Sequence, residues 1–241
     1  MAWRAGSLTG DGAVAAMAVG TLVLLGTGWE GGAVLAAFFV SSSAVGRLLP
    51  ARAGDAKGER RDRHQVAANG GPAALAALAP VVGNFEPSLA LCMVMGSLAA
   101  AAADTWATSV GRLSPSMPRR LFFGPTVPTG TSGGMTVVGT LGGLAGAALV
   151  AATGALAGGG ARLALIGTAV GFAGMLADSA LGAVAQGRFH CPACDLDSES
   201  PVHRCGIRTV RTGGMAWLDN DGVNLVATSF AAALAALAWR C

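Results

Sequence analysis

The distance between charges constrains this chain more than any other feature. Gly12–Trp29, Gly31–Gly46, Pro87–Ala103 and Gly222–Trp239 hold no Asp, Glu, Lys or Arg, and Leu121–Ala161 is a longer charge-free run. A helix crossing the hydrocarbon of a bilayer needs about 20 mostly apolar residues. Only 12% of the 241 residues are charged and 53% are hydrophobic, so too little charge remains to cover a soluble surface. Disorder is excluded by the apolar content. Collagen is excluded because the 37 glycines keep no three-residue period. The expectation is an all-α, polytopic membrane bundle, a single domain over 1–241. Its seven spans lie near 11–29, 31–49, 67–83, 88–110, 133–157, 163–186 and 220–239.

The third span is the weakest, being short and holding Asn69, Pro72 and Pro80. The distribution of basic residues decides whether it crosses. With seven crossings, 14 of the 16 Lys and Arg fall on one side with the N-terminus, and only Arg162 and Arg240 fall outside. If the third span dipped in and returned, Arg112, Arg119 and Arg120 would change sides and the bias would collapse. Seven crossings with a cytoplasmic N-terminus are therefore expected, in the inner (plasma) membrane. No cleavable signal peptide is expected, since Met1–Asp11 carries one Arg and no processing site follows. The cytoplasmic face then receives three long loops, 50–66, 111–132 and 187–219, and should carry the chemistry.

Small residues recur at helical spacing: Gly139/Gly143 and Gly142/Gly146 in the fifth span, Gly167, Gly171 and Gly174 in the sixth, and Ala99–Ala103 in the fourth. In lipid such residues let helix backbones approach closely. They account for a tight bundle and name no function.

Asp104 and Asp178 differ in kind. An intramembrane carboxylate costs at least ~2.5–3.5 kcal/mol at a helix centre. Helical spacing aligns Asp104 with Thr108 and Gly111, Asp178 with Gly182 and Gln186, and Asn220 with Asn224 and Thr228. Asp219, Asp221 and Asn69 stand at the same depth. Interhelical hydrogen bonding and helix capping are the plainer alternative for each residue. The functional alternative is a carboxylate and amide cluster holding a divalent cation, Mg²⁺ or Mn²⁺, against phosphate.

Pro128–Thr136 reads PTGTSGGMT and opens the fifth span. It is either a flexible turn or an anion cradle at a helix N-terminus. Arg112, Arg119 and Arg120 nearby favour the cradle, and acids for metal beside donors for phosphate suit phosphoryl transfer. The third loop contains HCPACDLDSESPVHRCG. Cys191, Cys194, His203 and Cys205 have the spacing of one tetrahedral Zn²⁺ site, with His190 as a substitute ligand. Redox thiols and incidental cysteines stay open, whereas disulfides do not suit a cytoplasmic loop. Cys92 and Cys241 are isolated.

The ordered segments RDRHQVAANGG (61–71), ADTWATSVGRLS (103–114), PTGTSGGMT (128–136), GMLADSALGAVAQ (174–186) and WLDNDGVN (217–224) resemble an integral-membrane family. That family contains the plant phytyl-phosphate kinase of the vitamin E pathway and animal transmembrane protein 19. The resemblance implies a membrane enzyme that phosphorylates a prenyl monophosphate to the diphosphate, with CTP or another nucleotide as donor. It also implies a distant similarity to CTP-dependent polyprenol kinases, through Asp104 and Gly111-Arg112. Carried over, Asn69, Asp104, Gly133, Gly134, Asp178, Asp221 and Asn224 form the nucleotide–metal site. Ser109 stands where members of that family often carry Glu.

The resulting expectation is a kinase with Asp104, Asp178, Asp221 and Arg112 as catalytic residues, the three acids holding Mg²⁺. Asn69, Thr131, Ser132, Gly133, Gly134, Arg119 and Asn224 would bind nucleotide and phosphate. Partners would be the bilayer, an isoprenoid phosphate and a nucleoside triphosphate, without nucleic acid; a homo-oligomer is compatible with this. The alternatives are a transporter or non-catalytic membrane protein, and a nucleotidyltransferase acting on a lipid phosphate. Transporters tend to place polar sites near the midplane between repeated halves, whereas here the polar groups gather at one face.

Overall fold

Five consecutive alanines, 99–103, make one helix narrow enough for every other helix to close on it. The computed structural model describes residues 6–49, 60–83 and 85–240; Arg4, Arg52, Lys57, Cys241 and most of the 50–66 loop lie outside them. That central helix is α3 (Pro87–Gly111), in which Ala99–Ala103 are all buried. Around it pack α1 (Gly10–Leu48), α2 (Arg63–Val82), α4 (Val137–Gly154), α5 (Gly160–Val184) and α6 (Asn220–Arg240).

The glycine spacing serves this packing. In α4, Gly139, Gly142, Gly143 and Gly146 are all buried. A Cβ at Gly139 would stand 2.7 Å from the Ala107 carbonyl oxygen, and one at Gly146 would stand 3.0 Å from that of Ala102. On α5, Cβ atoms at Gly171 and Gly174 would reach within 2.6 Å of the Ala99 and Ala100 methyls. The large side chains Leu24, Leu25, Leu75, Leu141, Leu165 and Leu237 point outward, which is how a helix presents itself to lipid.

Five helices are long and apolar enough to cross a membrane: Gly10–Leu48, Arg63–Val82, Pro87–Gly111, Val137–Val184 and Asn220–Arg240. Two of them greatly exceed the need. At 1.5 Å per residue, the 39 residues of α1 would span about 58 Å if straight, against a hydrocarbon core of about 30 Å. They are not straight. At Gly28 the backbone turns to φ 64°, ψ −156°, a conformation that a side chain would resist. The chain folds back there, so that an Arg47 guanidinium nitrogen donates to Ser7 Oγ although 40 residues separate them. The Val137–Val184 segment reverses likewise through a π-helical turn, Ala155–Gly159, with Gly158 at φ 124° and Gly160 at φ 74°. Its arms meet where a Cβ at Gly143 would strike the Met175 sulfur and one at Gly167 would lie 3.1 Å from the Ala151 Cβ.

The weakest expected span is a continuous 20-residue helix despite Pro72 and Pro80. Asp62 caps it in a reciprocal capping box with Gln65. The expected start of the fifth span, residue 133, is four residues too early: helix α4 starts at Val137, because Gly130 and Gly133 hold positive φ.

The chain is mostly helical, as expected, and short strands lie between its helices. Arg119–Arg120 (β1) pairs with Gly134–Met135 (β2). In the 187–219 loop, Arg188–Cys191 (β3), Leu196–Ser198 (β4) and Val210–Gly213 (β5) form an antiparallel sheet in the order β4-β3-β5. At the opposite end Arg162 donates to the Trp239 carbonyl at 2.8 Å and lies over its indole, finishing the last turn of α6.

Candidate functional site

A cavity of about 270 Å³ opens at the end of the bundle where Ser7, Arg47, Arg61 and Arg112 gather. Asn69 from α2, Asp104 and Thr108 from α3 with Arg112 just past its end, and Asp221 and Asn224 from α6 all line it. Five of the expected site residues, Asn69, Asp104, Arg112, Asp221 and Asn224, therefore face one space from three helices remote in the chain.

Local chemistry positions each wall. The extended segment ahead of α1 lies along residue 61: Thr9 N–H donates to the Arg61 carbonyl at 3.1 Å and Arg61 N–H to that of Ser7 at 3.0 Å. Gln65 and Asn69 follow Arg61 at four-residue steps, and the Asn69 amide donates to the Gln65 carbonyl at 2.9 Å. The Thr228 hydroxyl donates to the carbonyls of Ala68, at 3.0 Å, and Asn224, at 2.8 Å, tying α6 to α2 beside Asn69. Asp219 accepts from Gly222 N–H at 2.9 Å and so caps α6. Asp221, two residues on, lines the cavity. Of these neighbouring acids, one does the structural work and the other faces the site.

Arg61 is not among the expected site residues, yet it is the most telling wall residue. Its guanidinium lies 5.4 Å over the Phe38 ring, and no carboxylate among the described residues pairs with it. Burial pushes its pKa down. A desolvated cation on an aromatic face, without a counter-ion, is a seat for an anion. Ser42 also lines the cavity, and its buried Oγ finds no hydrogen-bond partner among the described residues. The four-residue spacing Arg61, Gln65, Asn69 is the signal that could have found Arg61. Nothing local marks Ser7, Ser42 or Arg47, which the fold-back at Gly28 brings here. Ser109, buried in the same wall, places a hydroxyl inside the site.

The glycine-rich loop forms a second group beside the first. Gly134 N–H closes a tight turn onto the Thr131 carbonyl at 2.9 Å. Gly133, at φ 73°, presses on α5 so closely that a Cβ would lie 2.4 Å from the Ala183 Cβ. The loop therefore seats on the last turns of α5, next to Asp178 and Gly182, ahead of the N-terminus of α4. There the Thr136 hydroxyl already accepts the Gly139 N–H at 3.0 Å. Two consecutive non-glycine residues in left-handed conformation, Leu121 at φ 50° and Phe122 at φ 66°, hold the other side of this ribbon. Such conformations cost of order 1–3 kcal/mol each and persist where the surroundings enforce them; here Leu121 N–H donates to the Gly133 carbonyl at 3.1 Å.

Asp178 is outside the cavity wall. It lies near enough to both Asp104 and Glu199 to feel their charges. Its Oδ2 is buried and has no hydrogen-bond partner among the described residues. Glu199, absent from the expected site, accepts the Ser132 hydroxyl. Arg119 is exposed, its guanidinium near the Gly124 carbonyl at 3.4 Å, and does not reach the cavity. Of that pair it is Arg120 whose Nε is buried without a hydrogen-bond partner among the described residues.

Cys191, Cys194, His203 and Cys205 converge as their spacing implies, their ligand atoms all within 4.8 Å of one another. Hydrogen bonding to Cys205 pushes the Cys194 thiol up to about 11, whereas the backbone N–H of Ile207 pulls that of Cys205 down. His190 is not a substitute ligand. Its two ring nitrogens face Asp195 and Asp197, each at 3.2 Å.

Compared with known proteins, the chain matches a family described as integral membrane protein DUF92 over residues 1–232, and it belongs to that family. It is thus a multi-helix integral membrane protein. No curated protein and no solved structure shows a match.

Proposed function

We propose that this member of the DUF92 integral membrane family is a kinase that transfers a phosphoryl group from a nucleoside triphosphate, CTP by resemblance, to a prenyl monophosphate such as phytyl phosphate. We read the fold as seven crossings with the N-terminus and the cavity on the cytoplasmic side of the plasma membrane. Fold-backs at Gly28 and Gly158–Gly160, and the gathering of Arg47, Arg61 and Arg112 at the cavity end, support that reading.

The observation that carries the kinase reading is Arg61: a desolvated cation without a carboxylate partner among the described residues, in a wall shared with Asn69, Asp104, Asp221 and Asn224. Cation and acids in one small space suit a phosphorylated ligand together with its counter-ion. The oxygen donors of Asp104 and Asp221, with the orphaned Oδ2 of Asp178 beyond them, fit Mg²⁺ or Mn²⁺. Such an ion, when bound, neutralises charge on the donor phosphates.

The residues of the chain do the positioning. Arg61 and Arg112 hold phosphate oxygens and offset the charge that spreads over the transferring group. Asn69 and Asn224 orient the donor through their amides. The Thr131–Gly134 loop closes over the Asp178 side, where Ser132 and Glu199 meet. The bond from the terminal phosphorus to its bridging oxygen breaks, and a bond to an oxygen of the prenyl phosphate forms, releasing nucleoside diphosphate. The attacking oxygen is already anionic at neutral pH, so no strong general base is required. The prenyl tail lies among helices whose outer faces carry leucine, open to lipid.

Purified protein incubated with labelled CTP or ATP, Mg²⁺ and phytyl or geranylgeranyl phosphate tests this. Prenyl diphosphate is the expected product. A lipid-linked nucleoside monophosphate would reassign the site to nucleotidyl transfer, and absence of any turnover would favour a transporter or scaffold.

A further inference from the structure

Residues 188–217 form a sheet with very little buried core of its own. Phe189, Cys191 and His203 are the only buried residues in that stretch, and two of the three carry metal-ligating atoms. A unit with so small a core needs a staple. The staple is prepared. Cys191 and Cys194 flank the β3–β4 turn, in which Asp195 N–H donates to the Cys191 carbonyl at 2.9 Å and Asp195 takes φ 53°. His203 and Cys205 sit in a second tight turn, with Gly206 N–H on the His203 carbonyl at 2.8 Å and Gly206 at φ 84°. The two turns face each other, Cys191 Sγ standing 3.7 Å from Cys205 Sγ, and the His203 Nδ1 lies 3.1 Å from Cys205 Sγ. Two sulfurs on one tetrahedral zinc stand about 3.8 Å apart, given Zn–S bonds of about 2.3 Å.

We propose that Cys191, Cys194, His203 and Cys205 bind one structural Zn²⁺, and that the zinc-held sheet clasps the glycine-rich loop through Glu199 and Ser132. The second half follows from register. Cys191 pairs with Leu196, His190 with Asp197 and Phe189 with Ser198, so Glu199 leaves the end of the strand that the metal-bound turn begins. Its carboxylate accepts the Ser132 hydroxyl, beside the Gly133 that presses on Ala183. With metal bound, β4 is fixed and Glu199 holds the loop against α5. Without it the β3–β4 turn has no staple, and Glu199 is released. The inference stands independently of the kinase reading, since it concerns metal content and loop order.

The test uses the full-length protein in detergent. Elemental analysis should find one zinc per chain, and exchange for Co²⁺ should produce the visible d–d bands of tetrahedral thiolate cobalt. Both should vanish in a Cys194→Ser, Cys205→Ser double variant that keeps its helical circular dichroism, and both should persist in His203→Cys, which preserves a four-ligand set. A wild-type protein that holds neither zinc nor stoichiometric Co²⁺ overturns the site. Hydrogen exchange reads the clasp: chelation should raise exchange at least several-fold at residues 130–134 while α3 stays protected. Glu199→Gln should loosen the same residues with zinc retained. Loop protection unchanged by both treatments overturns the clasp and leaves the metal site standing.

Discussion

The cavity and the 188–217 sheet gather polar groups by opposite means. The cavity takes walls from residues as distant as Ser7 and Asn224, most of them carried by helices packed on the α3 core. The sheet gathers Cys191, Cys194, His203 and Cys205 from two tight turns and has almost no core behind them. In the first, apolar packing defines the geometry and the polar groups line the space it leaves. In the second, the polar groups are themselves the packing. Substitution in the cavity should therefore change chemistry and spare the fold, while substitution in the sheet should change the fold itself.

The largest effect expected is in the cavity. Asp104→Asn should lower phosphoryl transfer by about 10³-fold, the loss typical of a removed electrostatic stabiliser, with helical content and thermal midpoint unchanged. Full activity in that variant would sink the assignment. Phe189→Ala is the counterpart in the sheet. It should cost about 3 kcal/mol locally, visible as protease sensitivity confined to 188–217 while the helices stay resistant. If the whole bundle unfolds together, the two regions are not independent. Arg61→Gln should raise the apparent KM for the phosphorylated substrate by about 10-fold or more, the worth of a charged hydrogen bond, with kcat less affected. Arg61→Lys should recover part of the loss.

Two smaller effects sharpen the contrast. Gly171→Val drives side-chain atoms into Ala99, where even a Cβ stands 2.6 Å from its methyl. It should destabilise the bundle by about 1–3 kcal/mol, read as a lower midpoint in detergent, without moving zinc content. Asp219→Ala removes only the α6 cap and should cost about 1 kcal/mol, with turnover kept within about two-fold. Asp221→Ala, made beside it, should abolish turnover. Equal behaviour of the two acids would contradict the division of labour between Asp219 and Asp221.

Much of the fold and part of the site are legible in the amino-acid order. Charge-free stretches mark helices because bare charge is costly in hydrocarbon, and glycine at four-residue spacing marks where helices touch. Asn69, Asp104, Asp221 and Asn224 stand out by their placement, since a polar residue in an expected span needs a reason, and Arg112 stands out as a basic residue near the glycine-rich loop. The Cys/His ligands stand out because metal ligation has a short-range spacing.

What the sequence determined by itself is therefore periodic or local: the membrane class, the helices, the small-residue seams and the Cys/His cluster. What only the tertiary structure decided depends on which distant segments meet. The fold-back at Gly28 brings Ser7 to Arg47, Arg61 comes to rest on Phe38 with no carboxylate of the described residues within salt-bridge distance, and Asp178 comes near both Asp104 and Glu199 while staying outside the cavity wall. None of these pairs has a spacing to read, because each contact is set by how whole helices pack around α3 and not by the residues next to it in the chain.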